Sequence, residues 1–137
     1  MGESNQENPL RLHGIELISF SIQPKPAKDY SGEIFEFNIN QELKTNDKKK
    51  LIIAFTTITI RESGKDPSLA NLVVACGFEI SAFERMLKKN TEGVYLIPHD
   101  LNMAISRISI ATARGILYGQ LRGSYLQSTT LPILLVE

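Results

Sequence analysis

The chain has 137 residues, of which 42% are hydrophobic and 22% are charged, a composition ordinary for one soluble globular domain. Fifteen Lys and Arg side chains balance fifteen Asp and Glu. The formal net charge is therefore zero, which argues against broad attraction to nucleic acid or anionic membrane. A single cysteine excludes an intrachain disulfide, and no window of about 18 uninterrupted apolar residues is present. We expect a cytoplasmic protein without membrane insertion.

The N-terminal residues are polar and lack the basic start and apolar stretch of a secretory signal. Residues 1–11 are expected to form a disordered tail, because chain ends are poorly ordered unless something ties them down. Residues 12–137 are then expected to form a single domain.

Two alternating segments predict the first two strands. Residues 15–23 alternate apolar and polar side chains, and Pro24 ends the pattern because proline cannot donate to a sheet ladder. Residues 33–42 alternate more cleanly, with Phe35 and Phe37 on one face. Each segment is typical of a strand that buries one face.

Residues 51–62 and 72–80 predict a third and a fourth strand. The third is rich in β-branched residues and apolar on both faces at its start, which is typical of a strand buried on both sides or facing a partner subunit. Gly77 indicates a bulge or the close approach of another backbone. The lysine-rich residues 44–50 are interpreted as a solvated hairpin loop, with a local basic patch as the alternative.

A long helix is predicted over residues 100–118, after Pro98 at its entry. Its apolar residues fall into two stripes at helical spacing, which implies two packing partners, the sheet and a second copy of the chain. One stripe is Leu101, Ile105, Ile108 and Thr112; the other is Met103, Ile110 and Leu117. Residues 129–136 are predicted to form a final strand, an extended strap or a second helix.

This order predicts an α+β fold, a four-stranded antiparallel sheet with a long C-terminal helix packed on one face. No catalytic or metal-binding constellation is expected. His13 and His99 are far apart in sequence, and Cys76 is interpreted as a small buried hydrophobe. His99 beside Asp100 has two interpretations. It is one half of an acid–base pair, or the two residues are a structural pair that holds the loop at the start of the helix.

Four short segments follow one another in an informative order. They are the strand at 72–80 with a glycine before a phenylalanine, Tyr95-Leu96-Ile97-Pro98 before the helix, Ser109-Ile110-Ala111-Thr112-Ala113-Arg114-Gly115 at its end, and Leu131-Pro132-Ile133. In this order, over residues 12–136, the chain resembles the SecB-type export chaperones, whose fold has four antiparallel strands and a long helix near the C-terminus.

The resemblance implies an ATP-independent holding chaperone in protein transport. Such a protein binds unfolded or exposed apolar segments of client proteins, needs no cofactor, and forms a dimer or a dimer of dimers, that is, a homotetramer. An apolar groove with aromatic anchors would accept many client sequences weakly. The predicted client-binding residues are Phe35, Phe37, Phe78, Ile80, Tyr95 and Tyr118. The predicted oligomer interface is Met103, Ile110 and Leu117.

Three features argue against delivery to the export motor: the neutral charge, the end of the sequence directly after its apolar segment, and a long spacing between Arg114-Gly115 and Leu131-Pro132. A relative with another client, such as a labile antitoxin, is equally compatible. The alternative function is a non-catalytic adaptor or structural subunit that binds one dedicated protein partner. An enzyme is not expected.

Overall fold

The computed structural model describes residues 10–24, 35–62 and 68–127. Four long strands are followed by a short helix, a small hairpin and one long helix. The elements are β1 (Leu10–Ile22), β2 (Phe35–Asn46), β3 (Leu51–Glu62), β4 (Ala70–Ile80), α1 (Phe83–Met86), β5 (Lys88–Lys89), β6 (Tyr95–Leu96) and α2 (His99–Leu121). This arrangement confirms the predicted α+β fold with a four-stranded antiparallel sheet.

The strands lie in the order β1-β4-β3-β2, and every neighbouring pair is antiparallel. A tight turn after Asn46 joins β2 to β3 without any break in register, and Lys50 closes this turn in a left-handed conformation with φ of 59°. Because β1 and β2 flank the sheet, no described strand pairs with their outer edges. Those edges leave backbone groups open to another extended chain.

The core lies between one face of the sheet and α2. Side chains alternate along each strand, so one set from β3 and β4 faces the helix and is buried. That set includes Ile52, Ile58, Leu72, Val74 and Phe78. The helix buries a stripe that starts at Leu101 and ends at Leu121. Burying each of these large side chains contributes about 1.5–3 kcal/mol.

The first strand begins earlier than predicted. Leu10 and Arg11 belong to β1, so the predicted disordered tail is wrong for these two residues, and residues 1–9 lie outside the described part. The physical reason is cross-strand pairing, in which Leu10 lies opposite Ile80 at the end of β4. Polar sequence near a terminus does not preclude a strand when a neighbouring strand supplies its hydrogen bonds.

The long helix has 23 residues, against the 19 predicted, and runs from His99 to Leu121. Gly115 and Gly119 do not end it. A glycine inside a helix costs about 1 kcal/mol, and the burial of Leu117 and Leu121 more than offsets this. The chain leaves the helix at Gly123, whose φ of 81° favours glycine.

The irregularity expected at Gly77 lies on the opposite strand. The register of β1 against β4 shifts between Leu12 and Gly14, so His13 is an extra residue opposite Gly77, and it shifts again between Leu17 and Ser19. A side-chain Cβ at Gly77 would meet nothing within 4 Å, so no described backbone approaches it closely. The two shifts change which residues of β1 face the helix.

The segment after β4 forms α1 and then β5, which pairs with β6. The predicted final segment, residues 129–136, lies outside the described residues. Neither α1 nor α2 is both long enough and apolar enough to cross a membrane.

Candidate functional site

An apolar surface is left uncovered on the helix side of β1. Leu12, Ile15 and Leu17 pair with the helix-facing residues Phe78, Cys76 and Val74 of β4, so they lie on the same face of the sheet. Their exposed fractions are 43%, 49% and 39%. The helix packs mainly on the two central strands, β3 and β4, and therefore does not cover β1.

The side of α2 nearest to β1 is also apolar. The hydroxyls of Ser109 and Thr112 lie beside the Cys76 thiol of β4, which places this side of the helix over β4 and toward β1. Ile108 lies one turn before Thr112 and is 38% exposed, whereas Ile105 is fully buried. We define Leu12, Ile15, Leu17 and Ile108 as the β1 flank.

A second apolar surface lies on the other side of the helix. Met103 and Ile110 are partly buried and point about 140–160° around the helix from Ile108, away from β1. On β2, Phe35 and Phe37 face the helix side and are partly buried against the edge of the core. We define these four residues as the β2 flank.

The six predicted client-binding residues are not brought together. Phe78 and Ile80 are buried in the core, so their side chains are not accessible to a client in this structure. Tyr95 precedes α2, whereas Tyr118 is exposed near its end. A helix rise of 1.5 Å per residue separates the start of α2 from Tyr118 by about 28 Å.

Phe35 and Phe37 lie at the Tyr118 end of the molecule. Their partners in β3 are Glu62 and Ile60, next to the start of β4, and the segment after α2 returns to this end, where the Tyr125 hydroxyl donates to the Gln23 carbonyl at 3.1 Å. The predicted site is therefore two separated clusters. One extended client segment would need about nine residues to span them.

The predicted oligomer interface is divided in the same way. Met103 and Ile110 keep exposed surface, but Leu117 is buried in the stripe that packs on the sheet. The sequence stripes follow from helical spacing alone. In the structure the buried stripe repeats every four residues and turns slowly around α2, so Leu117 joins the core while Ile108 reaches the surface.

Sequence reasoning missed Leu12, Ile15 and Leu17 as candidate binding residues. A signal was present, because apolar residues alternate at Leu10 and Leu12 and again at Ile15 and Leu17, with a one-residue slip at the extra residue His13. Reading that slip as a bulge would have placed all four side chains on one face.

Two side chains with potential chemistry, His13 and Cys76, lie on opposite faces of the sheet. His13 Nδ1 lies 3.2 Å from Glu79 Oε2 on the exposed face of the sheet, and no cluster of potential metal ligands is found among the described residues. Burial raises the pKa of the Cys76 thiol, and the Ser109 and Thr112 hydroxyls offset this only in part, which disfavours the thiolate form. The feature of the described residues that could bind a ligand is the apolar surface of the β1 flank and the β2 flank.

No family model and no curated protein matches the chain. Among solved structures, it is similar to a SecB-like chaperone of Mycobacterium tuberculosis in complex with a ChAD peptide from the HigA1 antitoxin. The TM-score is 0.61 at 14% identity, covering 92% of this chain and 91% of that one. At that identity the similarity concerns the fold. The four-stranded sheet and its helix therefore have the SecB-like fold.

Proposed function

We propose that this protein is an ATP-independent holding chaperone of the cytoplasm that binds unfolded or exposed apolar polypeptide segments and performs no catalysis. The observation that carries the proposal is the uncovered apolar surface on both sides of α2, the β1 flank and the β2 flank. Groups of apolar side chains left exposed on a soluble protein often mark a binding surface.

An unfolded client offers backbone groups and widely spaced apolar side chains. The open edge of β2 can pair with an extended backbone, and the partly buried Phe35 and Phe37 can contact alternate client side chains. Each such contact is worth about 1–2 kcal/mol, so affinity accumulates over a long segment without demanding one sequence. We assign Tyr95 and Tyr118 as outlying anchors for the two ends of that segment.

Self-association would use the remaining apolar surface. A dimer of dimers needs two different contacts per protomer. We assign one contact to the β1 flank and the other to Met103 and Ile110 on the helix. Both contacts would remove from water apolar side chains that a lone protomer leaves partly exposed.

A second function is favoured by one comparison. The similar solved chaperone is bound to a peptide from a single antitoxin, and a dedicated adaptor would use the same surfaces for one partner. The two functions differ in breadth, because a holding chaperone protects many proteins and an adaptor protects only one.

Aggregation assays with several unrelated denatured proteins distinguish these functions. The oligomer is expected to suppress aggregation of most of them at sub-stoichiometric amounts. The double variant Phe35→Ser/Phe37→Ser is expected to lose this activity. The control Asn38→Ser/Asn40→Ser, on the opposite face of β2, is expected to keep it. Protection of one protein alone would favour the adaptor, and protection of none would refute the holding chaperone.

A further inference from the structure

Cationic side chains are concentrated at one end of the molecule. Residues 44–50 and 83–100 carry seven of the fifteen Lys and Arg side chains but only four of the fifteen Asp and Glu. We term this region the basic end. Its cations are Lys44, Lys48, Lys49, Lys50, Arg85, Lys88 and Lys89. A chain that is neutral overall therefore carries a positive end, balanced by an acidic surplus elsewhere.

The two segments of the basic end are held together by specific contacts. The Tyr95 hydroxyl donates to Asp47 Oδ2 at 3.4 Å, and Lys50 forms an ion pair with Glu84. The Tyr95 ring packs edge-on against the buried Phe83, with 5.1 Å between ring centroids. These contacts attach the turn between β2 and β3 to the core, so the backbone that carries its lysines is held in place.

Two lysines lie over these rings. The Nζ of Lys50 is 5.7 Å from the Phe83 centroid, and the Nζ of Lys89 is 5.1 Å from the Tyr95 centroid. Contacts of this kind position an ammonium group and leave it hydrated on its outer side. The Lys89 charge therefore still contributes to the potential outside the protein, whereas the Lys50 charge is offset by Glu84.

Three further lysines have no charged partner among residues 10–24, 35–62 and 68–127. Lys48, Lys49 and Lys88 are exposed, and none of them makes an ion pair or a side-chain hydrogen bond with a described residue. The N-terminus of α2 lies at the same end and adds a partial positive charge, although Asp100 in its first turn offsets part of this. The basic end thus has unpaired charge available to an external anion.

Apolar side chains lie among these charges. Val94 and Leu96 are each 55% exposed, and Leu96 pairs with Lys88 across the β5–β6 hairpin, so the two side chains share a face. An exposed leucine beside an unpaired ammonium is complementary to a peptide in which acidic and apolar residues are neighbours.

We propose that the basic end binds an acidic segment of a polypeptide partner that also carries apolar side chains. A polypeptide fits better than a nucleic acid, because Asp47, Glu84 and Glu92 interrupt the positive surface and would repel a continuous row of phosphates. This inference rests on the proposed function, because it assumes that the ligand of the protein is a polypeptide. A client segment that reaches Tyr95 would continue onto these lysines.

Fluorescence anisotropy of the full chain with three labelled probes tests the proposal. One probe is a peptide of Glu and Leu residues, the second has Lys in place of every Glu, and the third is a single-stranded oligothymidylate. The variant Lys48→Gln/Lys49→Gln/Lys88→Gln removes three positive charges. The control Gln120→Glu/Arg122→Glu shifts the net charge by the same amount at exposed positions near the opposite end of α2.

The acidic peptide is expected to bind, to weaken as salt is raised, and to lose about tenfold in affinity in the lysine variant but not in the control. Equal binding of the Lys peptide, tighter binding of the oligothymidylate, or an unaltered affinity in the lysine variant would overturn the proposal, as would no binding at low salt. Aggregation suppression by the lysine variant is a separate readout. Its retention with loss of acidic-peptide binding shows that the two functions use different surfaces.

Discussion

Replacing Ile108 with aspartate tests whether the β1 flank is a subunit contact. Ile108 is 38% exposed in the protomer, whereas Ile105, three residues earlier, is fully buried. Complete burial of an isoleucine contributes about 1.5–3 kcal/mol, and Ile108 realises only part of this. The lower helix propensity of aspartate adds at most a few tenths of a kcal/mol, about 0.3. The protomer is therefore expected to lose about 1–2 kcal/mol and to remain folded.

In a two-fold contact the same change acts twice. Each protomer would bring one unpaired carboxylate against the apolar side chains of its partner. A neutral polar group left without hydrogen bonds costs about 1–3 kcal/mol, and a charged carboxylate costs more. Association is then expected to weaken by two orders of magnitude or more. Sedimentation velocity over a range of concentrations measures this loss, and thermal unfolding at low concentration measures the protomer.

Two substitutions on the same helix calibrate the result. Gln120→Asp introduces the same residue at an exposed position outside both flanks and is expected to leave the mass unchanged. Ile105→Asp places the charge in the core and is expected to unfold the protein. An Ile108→Asp protein with unchanged mass and melting temperature would refute the subunit contact. Unfolding like that of Ile105→Asp would refute the surface position of Ile108.

Three further predictions concern the sheet and the basic end. Phe78→Ala is expected to destabilise the protein by about 3–5 kcal/mol, because Phe78 is completely buried; a change near zero in urea unfolding would contradict this. Gly77→Val is expected to be tolerated or to stabilise by up to about 1 kcal/mol, since a Cβ there meets nothing within 4 Å; a marked loss of stability would show a hidden close approach. The pKa of Glu84 is lowered first by its hydrogen bond with Lys50 and then by the charge of Lys50. The ion pair therefore stabilises the protein above the pKa that Glu84 has in the unfolded chain, and this stabilisation is lost as the pH falls through the lower pKa of Glu84 in the folded protein. Lys50→Met is expected to raise the Glu84 pKa toward its ordinary value, as followed by NMR titration, and an unchanged titration would exclude the ion pair in solution.

The strands of the sheet could be predicted from the sequence because the alternation of apolar and polar side chains along a strand is a local pattern. Alternation along β2 and the β-branched run of β3 describe which side chains share a face without any knowledge of the partner strand. The bounds of β3 were predicted correctly at residues 51–62. The start of β1 was not, because its first residues are held by pairing with β4, which is distant in sequence.

The candidate site was less predictable than the fold. Aromatic residues were chosen because such side chains anchor clients, but side-chain type does not say which face α2 covers. Phe78 and Phe37 have the same chemistry, and only the position of α2 over β3 and β4 buries one and leaves the other at the edge. The basic end joins a hairpin turn to residues some forty positions away, and the Asp47–Tyr95 contact that joins them is not encoded locally.

The sequence by itself determined the four long strands, the long helix and the α+β class, since these follow from composition and from short-range periodicity. The tertiary structure decided which of the apolar side chains are core and which are surface. A helix that packs on two central strands cannot also cover the edge strands, so the placement of α2 created the β1 flank and the β2 flank.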